Sequence, residues 1–238
     1  MFSIKLIPSD VVDDLKDKLN DKYLYAGAWN YLYTNKQEDY MRFRKRLKDD
    51  LYKKQEECCA YCECRTDEGD MQIEHFAPKG GEKNSKYVEQ QFNPLNLVLS
   101  CKECNEKYKK TFDPVVSNVG DYRNWKFKIL HPYFDDPTEY FSLIQLTDGL
   151  KGFFPIIKSD ADSDHKEKAK ETIMLFKFYE EERIIKIAKS FIGKLYYPEI
   201  KHILIQKANE YKIQLDSIQK SHQKELIAAA TTYRRHYE

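Results

Sequence analysis

Apolar positions recur every three to four residues toward both ends of this chain and lose that rhythm in the middle. Val12, Leu15 and Leu19 fall at helical spacing in a segment that runs from about Ser9, a residue suited to an N-cap, with acids in the first turn. Tyr40, Phe43, Leu47 and Leu51 repeat the interval across 38–54 and predict a helix with one buried face, so 9–55 reads as helical. Further helices are predicted over 169–195 and 198–234. Pro198 suits a first helical position, and Ile200, Ile203, Leu204, Ala208, Tyr211 and Leu215 form an apolar stripe. Over 125–155, short apolar and aromatic stretches alternate with turn signals such as Asp135-Asp136-Pro137 and Asp148-Gly149, predicting short strands and loops. Residues 58–114 contain no long periodic segment, as expected of a small module supported by metal. The pattern predicts an α+β, mostly helical fold with a helical region over 1–57, an inserted module over 58–114, and a mixed, then helical region over 115–238.

Composition narrows the class. With 238 residues, 41% apolar and 33% charged, and only 8 Gly and 8 Pro, the chain has enough apolar content for an ordered core of one large or two small domains. Its 18 Tyr and 13 Phe predict aromatic packing inside. Basic and acidic residues nearly cancel (40 against 39), so no global field draws nucleic acid, and such contacts must come from local patches or from a partner. One patch stands out. Residues 36–54 hold 8 basic and 4 acidic residues, with Arg42, Arg44, Lys45, Arg46 and Lys48 away from the apolar stripe. Backbone phosphate contact and a plain solvated helix face are both open readings. No apolar run reaches the ~20 residues of a membrane span, and the first residues do not form a secretory signal. A cytoplasmic location is expected. In that compartment six cysteines point to metal ligation or buried thiols, not to disulfides.

Cys59-Ala-Tyr-Cys62 and Cys101-Lys-Glu-Cys104 are two C-x2-C pairs. Each spacing suits a tight turn that aims two thiolates at one point, and two such turns complete a tetrahedral four-sulfur site. Zn²⁺ fits because it binds thiolate strongly and imposes no geometry of its own. A closed four-thiolate site leaves no open position, so this zinc is structural. The plain alternative is a set of buried thiols. Cys58 and Cys64 stand out of register and are expected to play no metal role.

Between the pairs lies Met71-Gln72-Ile73-Glu74-His75-Phe76-Ala77-Pro78-Lys79, followed by Asn93-Pro94-Leu95-Asn96-Leu97-Val98-Leu99-Ser100. Met71, Ile73 and Leu97–Leu99 suggest two strands, and Cys104 onward can open a helix. C-x-Y-C, then I-E-H-F-x-P-K, then N-L-V-L-S-C-x-x-C-N followed by lysines resembles the zinc-containing HNH endonucleases across 58–114. The resemblance implies a ββα-metal module in which His75 is the general base and Glu74 and Asn105 are ligands of a catalytic Mg²⁺ or Mn²⁺. Asn96 would hydrogen-bond the loop that orients the histidine. A histidine suits proton removal from water near neutral pH, and a hard cation with oxygen ligands suits the developing charge on phosphorus. Neighbouring strand residues point to opposite faces. Glu74 and His75 therefore serve one site only if the strand ends or bends there. Where relatives often carry a lysine three residues after the asparagine, this chain has Tyr108, with Lys107, Lys109 and Lys110 around it as candidate phosphate contacts beside Arg42 and Arg44.

A later block, Ile129-Leu130-His131-Pro132-Tyr133-Phe134-Asp135-Asp136-Pro137, resembles its counterpart in the phage-defence HNH proteins of the PtuB kind, found in Septu and some retron systems. That resemblance implies an ATPase partner of the PtuA kind. His131 is expected to be structural. The competing reading of the whole chain is a non-catalytic zinc-knuckle module that binds nucleic acid or a partner.

Overall fold

The computed structural model describes residues 5–10, 13–79, 86–147 and 150–192, with a few helical positions between 205 and 217. The chain divides into two compact units, residues 1–177 and 178–238. The first holds helices α1 (Asp13–Tyr23), α2 (Ala28–Thr34) and α3 (Glu38–Lys54), then strands β1 (Met71–His75) and β2 (Leu97–Cys101), and then a π-helical segment, Glu103–Lys109. After these come β3 (Val115–Ser117), β4 (Lys126–Phe127), a short α4 (Pro137–Tyr140), β5 (Phe141–Thr147), β6 (Leu150–Ile157) and α5 (Ser163–Phe176). The second unit contains α6 (Glu181–Ile192). Among the described residues the strands form three two-stranded antiparallel sheets, so the fold is a mixture of helices and small sheets.

The predicted apolar stripe of α3 is buried along its whole length, at Tyr40, Phe43, Leu47 and Leu51. Tyr40 and Phe43 meet the edge of Trp29 on α2, with ring centroids 5.2 and 6.3 Å away, and Phe43 also meets Phe92 at 6.0 Å. The end of α3 is fastened to β2 by one buried side chain. Gln55 Oε1 accepts the N–H of Leu99 (2.8 Å), while its Nε2 donates to the carbonyls of Leu99 and Cys58 (2.9 Å each). In effect Gln55 adds a rung to the sheet and hands the chain on to the first cysteine pair.

The helical region expected over 9–55 is three helices. Gly27, at φ 80°, breaks it before α2, and Lys36, at φ 48°, breaks it before α3. Ser9 stands outside these helices, and its hydroxyl donates to Asp50 of α3 at 2.5 Å. Val12 and the side chain of Leu15 lie outside the described residues. The predicted helix 169–195 is likewise two. The first starts earlier, capped by Asp162, whose carboxylate accepts the N–H of His165 at 2.8 Å, and it stops at Lys177, whose φ of 58° is left-handed. No glycine announced that stop. The predicted helix 198–234 lies almost wholly outside the described residues.

The 129–137 block is a scaffold behind the β1–β2 hairpin. His131 is 1% exposed and stacks on Phe134 at 4.0 Å, with Phe76 at 4.3 Å and Phe127 at 4.9 Å. Its Nδ1 accepts the N–H of Tyr133 (3.2 Å), and the Tyr133 hydroxyl donates to the Leu97 carbonyl (2.5 Å). Asp135 accepts from the His131 N–H and pairs with Lys168 at 2.7 Å. Burial, with Lys168 adding to it, pushes the His131 imidazole well below its usual pKa. The unfolded chain therefore takes up this proton first, and the stability that depends on neutral His131 is full above about pH 6.5 and lost as pH falls below it. Urea unfolding from pH 7 to pH 5 should show a falling midpoint in the wild type. The fall should be shallower in His131→Phe, which keeps the ring stack and cannot titrate. An equally steep loss in the variant would remove His131 as the cause.

Candidate metal centre and active site

Cys59 and Cys62 sit on the turn that follows α3, Cys101 ends β2, and Cys104 lies in the first turn of the π-helical segment. Their four sulfurs all lie within 4.8 Å of one another, and Cys62 Sγ is 3.9 Å from Cys101 Sγ. A tetrahedral zinc with bonds of about 2.3 Å sets sulfurs about 3.8 Å apart. Cys59, Cys62 and Cys104 are buried and Cys101 is half-buried. The sulfur of Cys59 accepts two backbone N–H groups, from Cys101 at 3.3 Å and Tyr61 at 3.5 Å. Burial alone would raise the Cys59 thiol, but hydrogen bonds from Cys101, Cys104 and Cys62 outweigh it and hold this group well below its ordinary range. Hydrogen bonds within the cluster push Cys62 up and burial pushes Cys104 up, so the fit to zinc rests on four converging sulfurs. Cys58 Sγ instead donates to the Glu56 carbonyl at 3.3 Å, and neither it nor Cys64 joins the group of four.

The cysteines bracket the hairpin. His75 closes β1 opposite Leu97 and is 5% exposed. Its ring packs edge-on against Trp29 at 4.5 Å, and its Nε2 lies 3.0 Å from the Gln91 carbonyl. A carbonyl only accepts, so Nε2 carries the proton and Nδ1 keeps its lone pair. Burial, then Lys79, lower the imidazole pKa to about 3 against the opposing hydrogen bond to Gln91, with Lys109 adding to the lowering. The group is therefore neutral at physiological pH. Gln91 is itself fixed, because its Nε2 donates to the carbonyl of Tyr23 at 2.9 Å.

Asn96 is fully buried and fully engaged. Its Oδ1 accepts from the Ala77 N–H and the Tyr122 hydroxyl (2.7 Å each), and its Nδ2 donates to the carbonyls of Ala77 (3.0 Å) and Gln90 (3.1 Å). One amide thus ties the chain just after His75 to the residue before Gln91. Asn96→Ala should cost about 3 kcal/mol in urea unfolding, because backbone groups left unpaired in the core have no substitute partner. A loss under about 1 kcal/mol would mean that water replaces the amide.

β1 ends at His75, and the two adjacent side chains meet different neighbours. His75 meets α2, whereas Glu74 meets the π-helical segment. There Lys109, 1% exposed, holds Glu74 Oε1 at 2.5 Å and the His75 carbonyl at 2.9 Å. Asn105 Nδ2 donates to Gln72 Oε1 at 2.7 Å, and Gln72 Nε2 donates to Glu106 at 2.6 Å. Gln72 and Glu74 share a strand face by their two-residue spacing. The structure therefore gathers Gln72, Glu74, Asn105 and Lys109, and joins this group to His75 through the Lys109 ammonium. Gln72, Gln91, Trp29 and Tyr122 carry no spacing signal in the sequence that would mark them as part of the site.

No protein-family model matches the chain. Over 96 residues it is 34% identical to the Septu protein PtuB of Bacillus thuringiensis. The match covers 40% of this chain and spans only 30% of the length of that curated relative. The chain is similar to PtuB over that stretch.

The residues expected to meet phosphate divide. Lys109 does not belong with them, because it is buried against Glu74 and out of reach of a surface ligand. Lys107 and Lys110 are exposed; Lys107 lies 3.5 Å from Glu103 and over the Tyr108 ring at 4.9 Å. On α3, Arg42 is exposed and pairs with Glu38 at 2.8 Å, and Arg44 is half-buried over the Tyr33 ring at 4.5 Å. No helix among the described residues is long and apolar enough to cross a membrane.

Proposed function

We propose that this chain is a divalent-cation-dependent nuclease of the HNH type, with β1, β2 and the π-helical segment forming its ββα-metal module. One observation carries the reading: a neutral, buried imidazole has Nε2 committed to a backbone carbonyl and Nδ1 left as acceptor, one residue from a carboxylate on the strand whose Gln72 meets Asn105. In this reading Nδ1 of His75 takes the proton of the attacking water. Gln91 holds the tautomer, and Asn96 holds Gln90 and Ala77 on either side. Glu74 and the Asn105 amide oxygen would hold Mg²⁺ or Mn²⁺, which stabilises charge on the phosphate and on the leaving oxygen. Cys59, Cys62, Cys101 and Cys104 would hold one structural zinc. Arg42, Arg44, Lys107 and Lys110 stand as the phosphate contacts.

The likeness to PtuB supports a place in an antiviral defence system of the Septu kind, with an ATPase of the PtuA kind as partner. One observation favours a second reading, a non-catalytic zinc-knuckle module. Glu74 is already paired with the Lys109 ammonium. The deciding experiment incubates the purified chain with Mg²⁺ or Mn²⁺ and labelled DNA or RNA, with and without the co-purified ATPase. Cleavage that needs both the cation and His75 is the expected result. Binding of nucleic acid or partner without cleavage, under every condition, favours the second reading.

A further inference from the structure

Lys109 is the most deeply buried cation of the candidate site, and its position follows from an unusual winding. Glu103–Lys109 is π-helical, and the N–H of Lys110 reaches the Asn105 carbonyl at 2.7 Å, a five-residue step. Lys110, at φ 47°, then ends the segment. Wider turns of this kind arise where a segment accommodates one extra residue, and they are concentrated at functional sites. Here the winding turns Lys109 inward, so that a single π-helical turn supplies both Asn105 and the ammonium that neutralises Glu74.

That ammonium holds Glu74 Oε1 at 2.5 Å, on the carboxylate assigned to the cation, and the His75 carbonyl at 2.9 Å. A divalent ion bound to the same carboxylate oxygen would sit against a like charge in a buried setting, where repulsion is strong. The two ions compete wherever they meet the same oxygen of Glu74, and the one that Lys109 holds is Oε1.

We propose that Lys109 is a resident counter-ion of the nuclease site, competing with the divalent cation for Glu74 and leaving when the cation enters. This rests on the reading of Glu74 as a metal ligand. Lys109 is then a positioning residue that keeps the site neutral and closed and sets the concentration at which the cation occupies it. The four-carbon stem of lysine lets the ammonium withdraw without unwinding the segment.

Mn²⁺ binding to the full, zinc-loaded chain, followed by electron paramagnetic resonance, tests this without reference to cleavage. Lys109→Gln should bind Mn²⁺ at least about tenfold more tightly than wild type, since one opposing charge is removed. Glu74→Gln and the double variant should both bind far more weakly. Acetic anhydride labelling of the wild type, read by mass spectrometry, covers the case in which Lys109→Gln does not fold. Lys109 should be protected in Mg²⁺-free, Mn²⁺-free buffer and become reactive at saturating Mn²⁺. Equal or weaker Mn²⁺ binding by folded Lys109→Gln, or unchanged protection at saturation, overturns the proposal while leaving Glu74 as a ligand. Binding unaffected by Glu74→Gln, or absent in every variant, removes Glu74 as a ligand, and the proposal with it.

Discussion

Cys59→Ser is expected to purify without zinc and to lose the ordered hairpin, a stability effect as large as that of any other change among the four cysteines. The reason lies in what the four sulfurs join. Cys59 and Cys62 follow α3, and Cys101 and Cys104 end β2 and open the π-helical segment. Loss of the cross-link releases the ends of the only sheet that carries candidate catalytic residues among the described residues. Apparent zinc-binding energies of structural sites in small modules are about 10–16 kcal/mol, as large as the whole stability of a typical domain. Cys59 is also the sulfur that accepts the backbone N–H groups of Tyr61 and Cys101, and a serine oxygen is a poor substitute for it. Zinc per chain by mass spectrometry, with far-ultraviolet circular dichroism, measures the effect, and a strong chelator should reproduce it on the wild type. Cys58→Ser should keep its zinc, since that thiol faces the Glu56 carbonyl. A Cys59→Ser chain that holds one zinc and unfolds at the wild-type midpoint would remove the four-cysteine assignment.

Much of this arrangement was legible in the residues because it rests on short, rigid spacings. A C-x2-C pair fixes two thiols through one turn, and alternation along Met71–His75 and Leu97–Cys101 fixes which side chains share a face. The stripe of α3 was legible for the same reason. Long-range partners were not. Nothing in the local sequence indicates that Gln55 completes the Leu99 rung from 44 residues away, or that Gln91 would orient the histidine. Lysine at a left-handed position, as at Lys177 and Lys36, gives no warning that a helix stops, since glycine is the usual signal there. Lys109 is the sharpest case. Read as one of three clustered lysines it belongs on the surface, and only the π-helical winding shows which of the three turns inward.

His75→Ala should lower cation-dependent cleavage by about 10²- to 10⁴-fold, the range a positioned general base supplies, while leaving one zinc per chain. The two effects separate because His75 touches none of the four cysteines; its neighbours are Trp29, the Gln91 carbonyl and, through its own backbone, Lys109. Alanine leaves a hole beside Trp29 and an unpaired carbonyl, at a stability cost of about 2–4 kcal/mol. Lost activity alone would therefore not distinguish chemistry from packing. His75→Gln supplies the control, since it keeps a donor for the Gln91 carbonyl and a comparable volume but has no basic nitrogen. Its cleavage should fall as far as that of the alanine variant, with a smaller drop in the urea midpoint. Added imidazole should restore part of the rate to His75→Ala, whose cavity admits it, and none to His75→Gln. A glutamine variant that cleaves at the wild-type rate would show that the imidazole is only a packing and hydrogen-bonding group, and the base would have to be sought elsewhere.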